Sequence, residues 1–169
     1  MASVTLKHEL GCSAETYLEK CVFSEEFNRR LHLEVLKFPA FKLLEQSMEG
    51  PVWKRRAQID PPTTGIPGPL KKVIGDKLSY IEEGEYDTKT KLYRFKVISS
   101  TMPDKTKIAG ELRCDDNGEK KCTRIAKIDV EVKVFIVGGL AEDKILGDIK
   151  QSYEASSKFV NDYVKEKGL

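Results

Sequence analysis

No run of apolar residues in this chain approaches the ~18 that a membrane-spanning helix needs. The first ten residues, Met1 to Leu10, alternate between apolar and polar and do not form the apolar core of a signal peptide. A cytoplasmic location is the expectation that follows. A surplus of one charge is also missing: 29 Lys and Arg stand against 27 Asp and Glu, for a net charge of +2. Phosphate backbones are gripped by a concentrated basic excess, so nucleic acid is not expected as the main partner. The short basic runs Lys54-Arg55-Arg56, Lys71-Lys72 and Lys120-Lys121 read as solvated strand and loop positions. Histidine is scarce, at two residues, and the four cysteines lack metal spacing. Cys12 and Cys21 are nine apart, and Cys114 and Cys122 bracket a hairpin tip; zinc motifs want two to four intervening residues. No metal and no cofactor is expected. A Cys114–Cys122 disulfide across two antiparallel strands stays geometrically open, although a reducing cytoplasm opposes it. No Cys/His/Asn constellation marks a nucleophile.

What the chain does have is alternation, turns and one long amphipathic stripe. Its 169 residues, 40% of them hydrophobic, are expected to form one domain, 1–169, large enough to bury a core without metal or disulfide staples. From Ser3 to Cys12, Val4, Leu6, His8 and Leu10 share one strand face. Ser13 reads as the N-cap of a helix over 14–23. Ser24-Glu25-Glu26 opens a second helix with Phe27, Leu31, Val35 and Phe38 on one stripe and Pro39 as its stop. From Phe41 to Val134 the chain reads as consecutive antiparallel strands, with Asn117-Gly118 a strong hairpin signal. Residues 61–74, rich in Pro and Gly, interrupt the strands, and their later part reads as one helical turn or two. Gly138-Gly139 lacks the spacing of a nucleotide loop and reads as a sharp corner. Beyond it a helix over 140–166 carries Ala141, Ile145, Ile149, Tyr153, Ser156, Val160 and Tyr163 on one stripe.

Seven strands need one face covered, and the long terminal helix with the two short ones is the material available. The order β-α-α-β6-α, in an α+β architecture, resembles the helix-grip fold of START lipid-transfer domains, the birch pollen allergen family and bacterial polyketide cyclases. Three segments sharpen the resemblance: Gly65 to Gly75, the corner Val132 to Gly139, and the helix from Ile145 to Tyr163 with Tyr153-Glu154-Ala155 inside it. They are similar to a bacterial START-like family known mainly from actinobacteria and myxobacteria. The resemblance implies a seven-stranded curved antiparallel sheet around a long C-terminal helix, and it brings no catalytic motif with it.

In such a fold the inner sheet face and the inner helix stripe would line a cavity suited to a lipid or other hydrophobic small molecule. Alternation proposes Leu6 and His8, Trp53, Tyr80, Tyr93, Phe95, Val97, Val130 and Val132 as ligand-binding sheet residues. The helix would add Ile145, Ile149, Tyr153 and Ser156. Each also has a reading as core, the stronger one for the aliphatic positions. A buried tyrosine hydroxyl, by contrast, needs a partner that a ligand could supply. His8, an imidazole on an apolar face, is either a core histidine satisfied by a hydroxyl or carbonyl or a general base working with a pocket tyrosine. His32 reads as a surface residue. In the Pro/Gly insert, Ile66, Pro67, Leu70, Val73 and Ile74 beside Lys71 and Lys72 would gate the mouth, plug the core or touch a membrane transiently. Binding is the expected activity. A cyclase-like or hydrolase-like enzyme and a ligand-free interaction module are the alternatives.

Overall fold

The computed structural model describes residues 1–169. Seven strands, β1 (Ala2–Leu10), β2 (Ala40–Glu49), β3 (Val52–Asp60), β4 (Tyr80–Asp87), β5 (Leu92–Ser99), β6 (Thr106–Asp116) and β7 (Cys122–Val132), form one antiparallel sheet. Their order is β1-β7-β6-β5-β4-β3-β2. The meander of β2 to β7 agrees with the sequence pattern, but β1 joins at the far edge, beside β7. Edges β1 and β2 thus lie at opposite sides of the sheet, and the chain crosses between them through two short helices.

Those helices are wound loosely. The first, α1 (Thr16–Val22), follows the Ser13 cap, whose Oγ accepts from Thr16 N at 3.1 Å, and is a π-helix. The second, α2, starts at Ser24, whose Oγ accepts from Phe27 N, and passes from α-helix (Glu25–Arg29) into π-helix (Arg30–Val35). The i→i+5 bond from Leu36 N to Leu31 O at 2.8 Å closes the wider turn. A wider turn shifts every later side chain off the 3.6-residue stripe. Phe27 and Leu31 are buried as the stripe requires, whereas Val35 is left 37% exposed. The helix also ends before Pro39, because Lys37 enters the left-handed region at φ 58°.

The insert between β3 and β4 contains α3 (Gly68–Ile74), with Pro69 in its first turn, where no N–H is needed. The terminal helix α4 (Gly138–Lys167) packs chiefly on β1 and β7. At the corner before it the glycines have an unexpected division of labour. Ile136, not a glycine, takes the left-handed turn, at φ 72°. Gly138 is needed for close approach, since a Cβ there would collide with the Val132 carbonyl oxygen.

Because β3, β5 and β7 end where β4 and β6 begin, loops 61–79, 100–105 and 133–137 all gather at one end of the sheet. Backbone bonds from Ser100 N to Ser79 O and from Lys133 N to Lys105 O, both 2.8 Å, tie them together. All four cysteines are free and buried. The register sets Cys114 opposite Arg124 and Cys122 opposite Asp116, so the two thiols are not facing positions.

Candidate ligand cavity

Since α4 covers β1 and β7, the inner face of the middle strands is left to enclose space. A cavity of about 350 Å3 lies there, walled for the most part by apolar side chains. Strand β5 gives Tyr93, Phe95 and Val97; β6 gives Ile108 and Leu112; α4 gives Ile145, Ile149, Tyr153 and Ser156. The cavity extends to the loop end, where Pro62, Ile66, Met102, Val134 and Val137 border it. In α3, Leu70, Val73 and Ile74 line the wall, with Leu70 buried, while Lys71 and Lys72 point to solvent. Pro67 is not part of the wall.

Nine of the sequence-proposed sheet and helix residues line the cavity: Tyr80, Tyr93, Phe95, Val97, Val132, Ile145, Ile149, Tyr153 and Ser156. Leu6, His8, Trp53 and Val130 do not. Leu6 and His8 belong to β1, which α4 covers and no residue of which reaches the cavity. Val130 is fully buried on β7, which reaches the cavity through Arg124, Ile128 and Val132. Trp53 instead packs edge-on to Phe23 at 5.5 Å and to Tyr86 at 6.1 Å. His32, read from sequence as a surface residue, is half-buried and lines the cavity. It stacks on Phe41 at 4.9 Å and bonds through Nδ1 to Asn28 O at 2.7 Å.

The charged part of the wall goes beyond what the sequence pattern proposes. Arg55 of β3, 5% exposed, donates to Val22 O at 2.8 Å and to Asn28 Oδ1 at 3.2 Å, and it pairs with Glu82 at 3.4 Å. Tyr93 Oη donates to the same Glu82 carboxylate at 3.1 Å. Burial holds the phenols of Tyr80, Tyr93 and Tyr153 above the usual tyrosine range, so all three are neutral donors in the cavity. A second arginine, Arg124 of β7, also lines the cavity. The signal for these residues was present in the strand phase. Arg55 shares the inner face with Ala57 and Ile59, and Arg124 with Ala126 and Ile128.

Behind the wall, His8 Nδ1 lies 3.3 Å from Arg124 Nη2 and His8 Nε2 lies 3.1 Å from Glu154. A guanidinium only donates, so Nδ1 must accept and the imidazole carries its proton on Nε2, donating it to Glu154. Burial first, and the Arg124 charge second, lower the His8 pKa from 6.5, while Glu154 opposes them. Burial likewise lowers that of His32. The folded state therefore resists protonating both histidines. Its stability is full above about pH 6.5, the unfolded value, and falls as pH drops below it. The depressed carboxylates Glu9, Glu26 and Glu83 begin from 4.5 and stay ionised in that window. Thermal midpoints should fall from pH 7.5 to pH 5.5, and His8→Gln with His32→Gln should flatten the fall. A midpoint that rises on acidification contradicts this charge assignment.

Solved structures of like fold include the Zhui aromatase/cyclase from Streptomyces sp. R1128, 10% identical, with 99% of this chain and 96% of that one covered at TM-score 0.65. Norcoclaurine synthase from Thalictrum flavum, in complex with dopamine and hydroxybenzaldehyde, matches at 14% identity, 98% and 87% coverage and TM-score 0.64. A START superfamily protein from Mycobacterium smegmatis matches at 16% identity, 92% and 97% coverage and TM-score 0.56. At such identities the likeness concerns the fold, which is the START and birch-pollen-allergen type of helix grip. No curated protein matches the sequence. The family profile "protein of unknown function (DUF2505)" matches residues 5–164, nearly the whole length, and the chain belongs to that family.

Proposed function

We propose that this protein binds a hydrophobic small molecule between its sheet and α4. The observation that carries the reading is the cavity itself. At about 350 Å3 it sits at the lower end of the ~300–1,000 Å3 typical of ligand sites. Its mixture of apolar wall and a few convergent polar groups is the usual chemistry of such a site. Phe95, Val97, Ile145 and Ile149 supply apolar contact, and Tyr80 and Tyr153 supply hydroxyls. The size favours one compact molecule or one short chain over a two-chain lipid. The fold neighbours named as a cyclase and a synthase are enzymes, but the enzyme reading based on His8 gains nothing from the geometry. His8 stands off the wall, held by Arg124 and Glu154.

The test is titration with N-phenyl-1-naphthylamine, a neutral apolar dye that brightens on leaving water. Saturable binding is expected, and Ile149→Trp, which puts an indole into the cavity, is expected to weaken it about tenfold or more.

Exchange of the ligand at a membrane surface is part of the same proposal, with the contact moved from the insert to the corner. In α3 Leu70 is buried and Ile74 half-buried against the cavity, and only Val73 is part-exposed, at 39%. Phe135 and Ile136, by contrast, stand 92% and 86% exposed at the same end of the sheet. Lys71 and Lys72, without ion pairs, flank that end with positive charge. Sedimentation with vesicles containing phosphatidylglycerol is expected, and Phe135→Asp should reduce it severalfold. Equal sedimentation of wild type and Phe135→Asp would remove the corner from the contact.

A further inference from the structure

Two arginines reach the cavity, and only one has a counter-ion. Arg55 faces the Glu82 carboxylate. Arg124, 1% exposed, has no carboxylate within ion-pair distance. Its four terminal N–H groups go to neutral acceptors. Nη1 donates to Tyr17 Oη at 3.1 Å and to Ser156 Oγ at 2.8 Å. Nη2 donates to Tyr153 O at 2.8 Å and to the neutral His8 Nδ1 at 3.3 Å. The fifth donor, Nε, is buried with no partner at all. The guanidinium stacks against the Tyr153 ring at 4.8 Å and the Tyr17 ring at 5.5 Å, which soften the charge without cancelling it.

A buried charge is costly unless an opposite charge answers it, and an arginine cannot escape the cost by losing its proton. The protein supplies the answer for Arg55 but not for Arg124. The hydroxyls around Arg124 point the same way. Tyr17 and Ser156 each accept a bond from the guanidinium, so each keeps its own proton to donate elsewhere. Arg124, Tyr17, Ser156 and Tyr153 all belong to the cavity wall. From that group Ile128, Ile149, Ile145 and Val132 give an apolar path along the wall to Val134 and Val137 at the loop end.

We infer that the cavity is built for an apolar carboxylic acid, with the carboxylate accepting from the hydroxyls of Tyr17 and Ser156 against the Arg124 charge, and the apolar body running toward the loop end. The inference rests on the binding function proposed above and narrows it to an acidic ligand. In the bound state the carboxylate supplies the counter-charge that the fold withholds from Arg124, and its oxygens take up the free hydroxyl protons. Specificity for the acid over its alcohol follows, because a hydroxyl-to-carboxylate bond is charge-assisted and only the acid brings a charge opposite to the buried guanidinium.

The experiment compares decanoate with decan-1-ol, molecules of nearly the same length and apolar area, as displacers of N-phenyl-1-naphthylamine at pH 7.5. Decanoate is expected to displace the dye from the wild-type protein at a concentration at least about tenfold lower than decan-1-ol. Arg124→Met should abolish that preference, bringing decanoate and decan-1-ol to the same displacing concentration. Ser156→Ala, which removes one hydroxyl and leaves the guanidinium, should narrow the preference without abolishing it. Equal displacement by acid and alcohol in the wild type overturns the inference while leaving the binding function standing. That wild-type comparison decides the matter even if Arg124→Met does not fold. Failure of the dye to bind at all contradicts the binding function instead, so the two failures are distinguishable.

Discussion

Replacing Arg55 with methionine is expected to cost about 3–5 kcal/mol of stability, the range found when one partner of a buried ion pair is removed. The change leaves Glu82 without its cation, and it strips the Val22 carbonyl and Asn28 Oδ1 of their donor. The side chain of Glu82 is 23% exposed, so water recovers part of its loss and the lower half of that range applies. For a chain of this length each kcal/mol moves the thermal midpoint by about 2–4 °C, so a fall of roughly 6–16 °C should be seen. The paired change Arg55→Met with Glu82→Met should recover most of the loss, because it removes both charges together. Urea unfolding of the three variants measures it. A single variant as stable as wild type would show that Arg55 and Glu82 do not act as a buried pair.

The second large effect is expected at Gly84. This glycine lies on the inner face of β4, and a Cβ placed there would run into the ring and hydroxyl of Tyr93. Tyr93 cannot yield without losing contacts: it is buried, bonded to Glu82 and stacked on Phe95 at 5.9 Å. Gly84→Ala is therefore overpacking of a filled site, with a cost of about 1–3 kcal/mol, and it should also loosen the dye site by tilting Tyr93 into the cavity. Gly147→Ala is the matched control. Gly147 is exposed in the middle of α4 with no atom near its missing Cβ, so alanine there should stabilise by up to about 1 kcal/mol. If both substitutions have the same sign, packing of Tyr93 over Gly84 is not what fixes that glycine.

Particular residues show how far the sequence could be read. Alternation placed the strands well, and β2 to β7 run from Ala40 to Val132 where consecutive antiparallel strands are read from Phe41 to Val134. The caps Ser13 and Ser24 were legible because a hydroxyl before a helix has one local task. The site was half legible. Period-two alternation says which face of a strand a side chain occupies, but not which strands the long helix will sit on. That is why Tyr93, Phe95 and Val97 line the cavity while Leu6 and His8 of β1 do not. The misjudged Val35 and His32 have another cause. The turn in α2 widens to a π-helix, and a 3.6-residue projection then loses phase. Arg55, Glu82 and Arg124 were overlooked because a charged residue in the apolar phase of a strand looks like an exception. Here such residues form the polar part of the cavity wall.

The central claim is that the space beneath Phe95 and Ile149 is a ligand site. N-phenyl-1-naphthylamine titrated into the wild-type protein and into Ile149→Trp tests it most directly, with thermal unfolding run on both to show that the fold is kept. The predicted result is one saturable site in the wild type, weakened about tenfold or more by a tryptophan that leaves the thermal midpoint unchanged or raised. Binding of the dye with equal affinity to both proteins, or no binding to either, would contradict it.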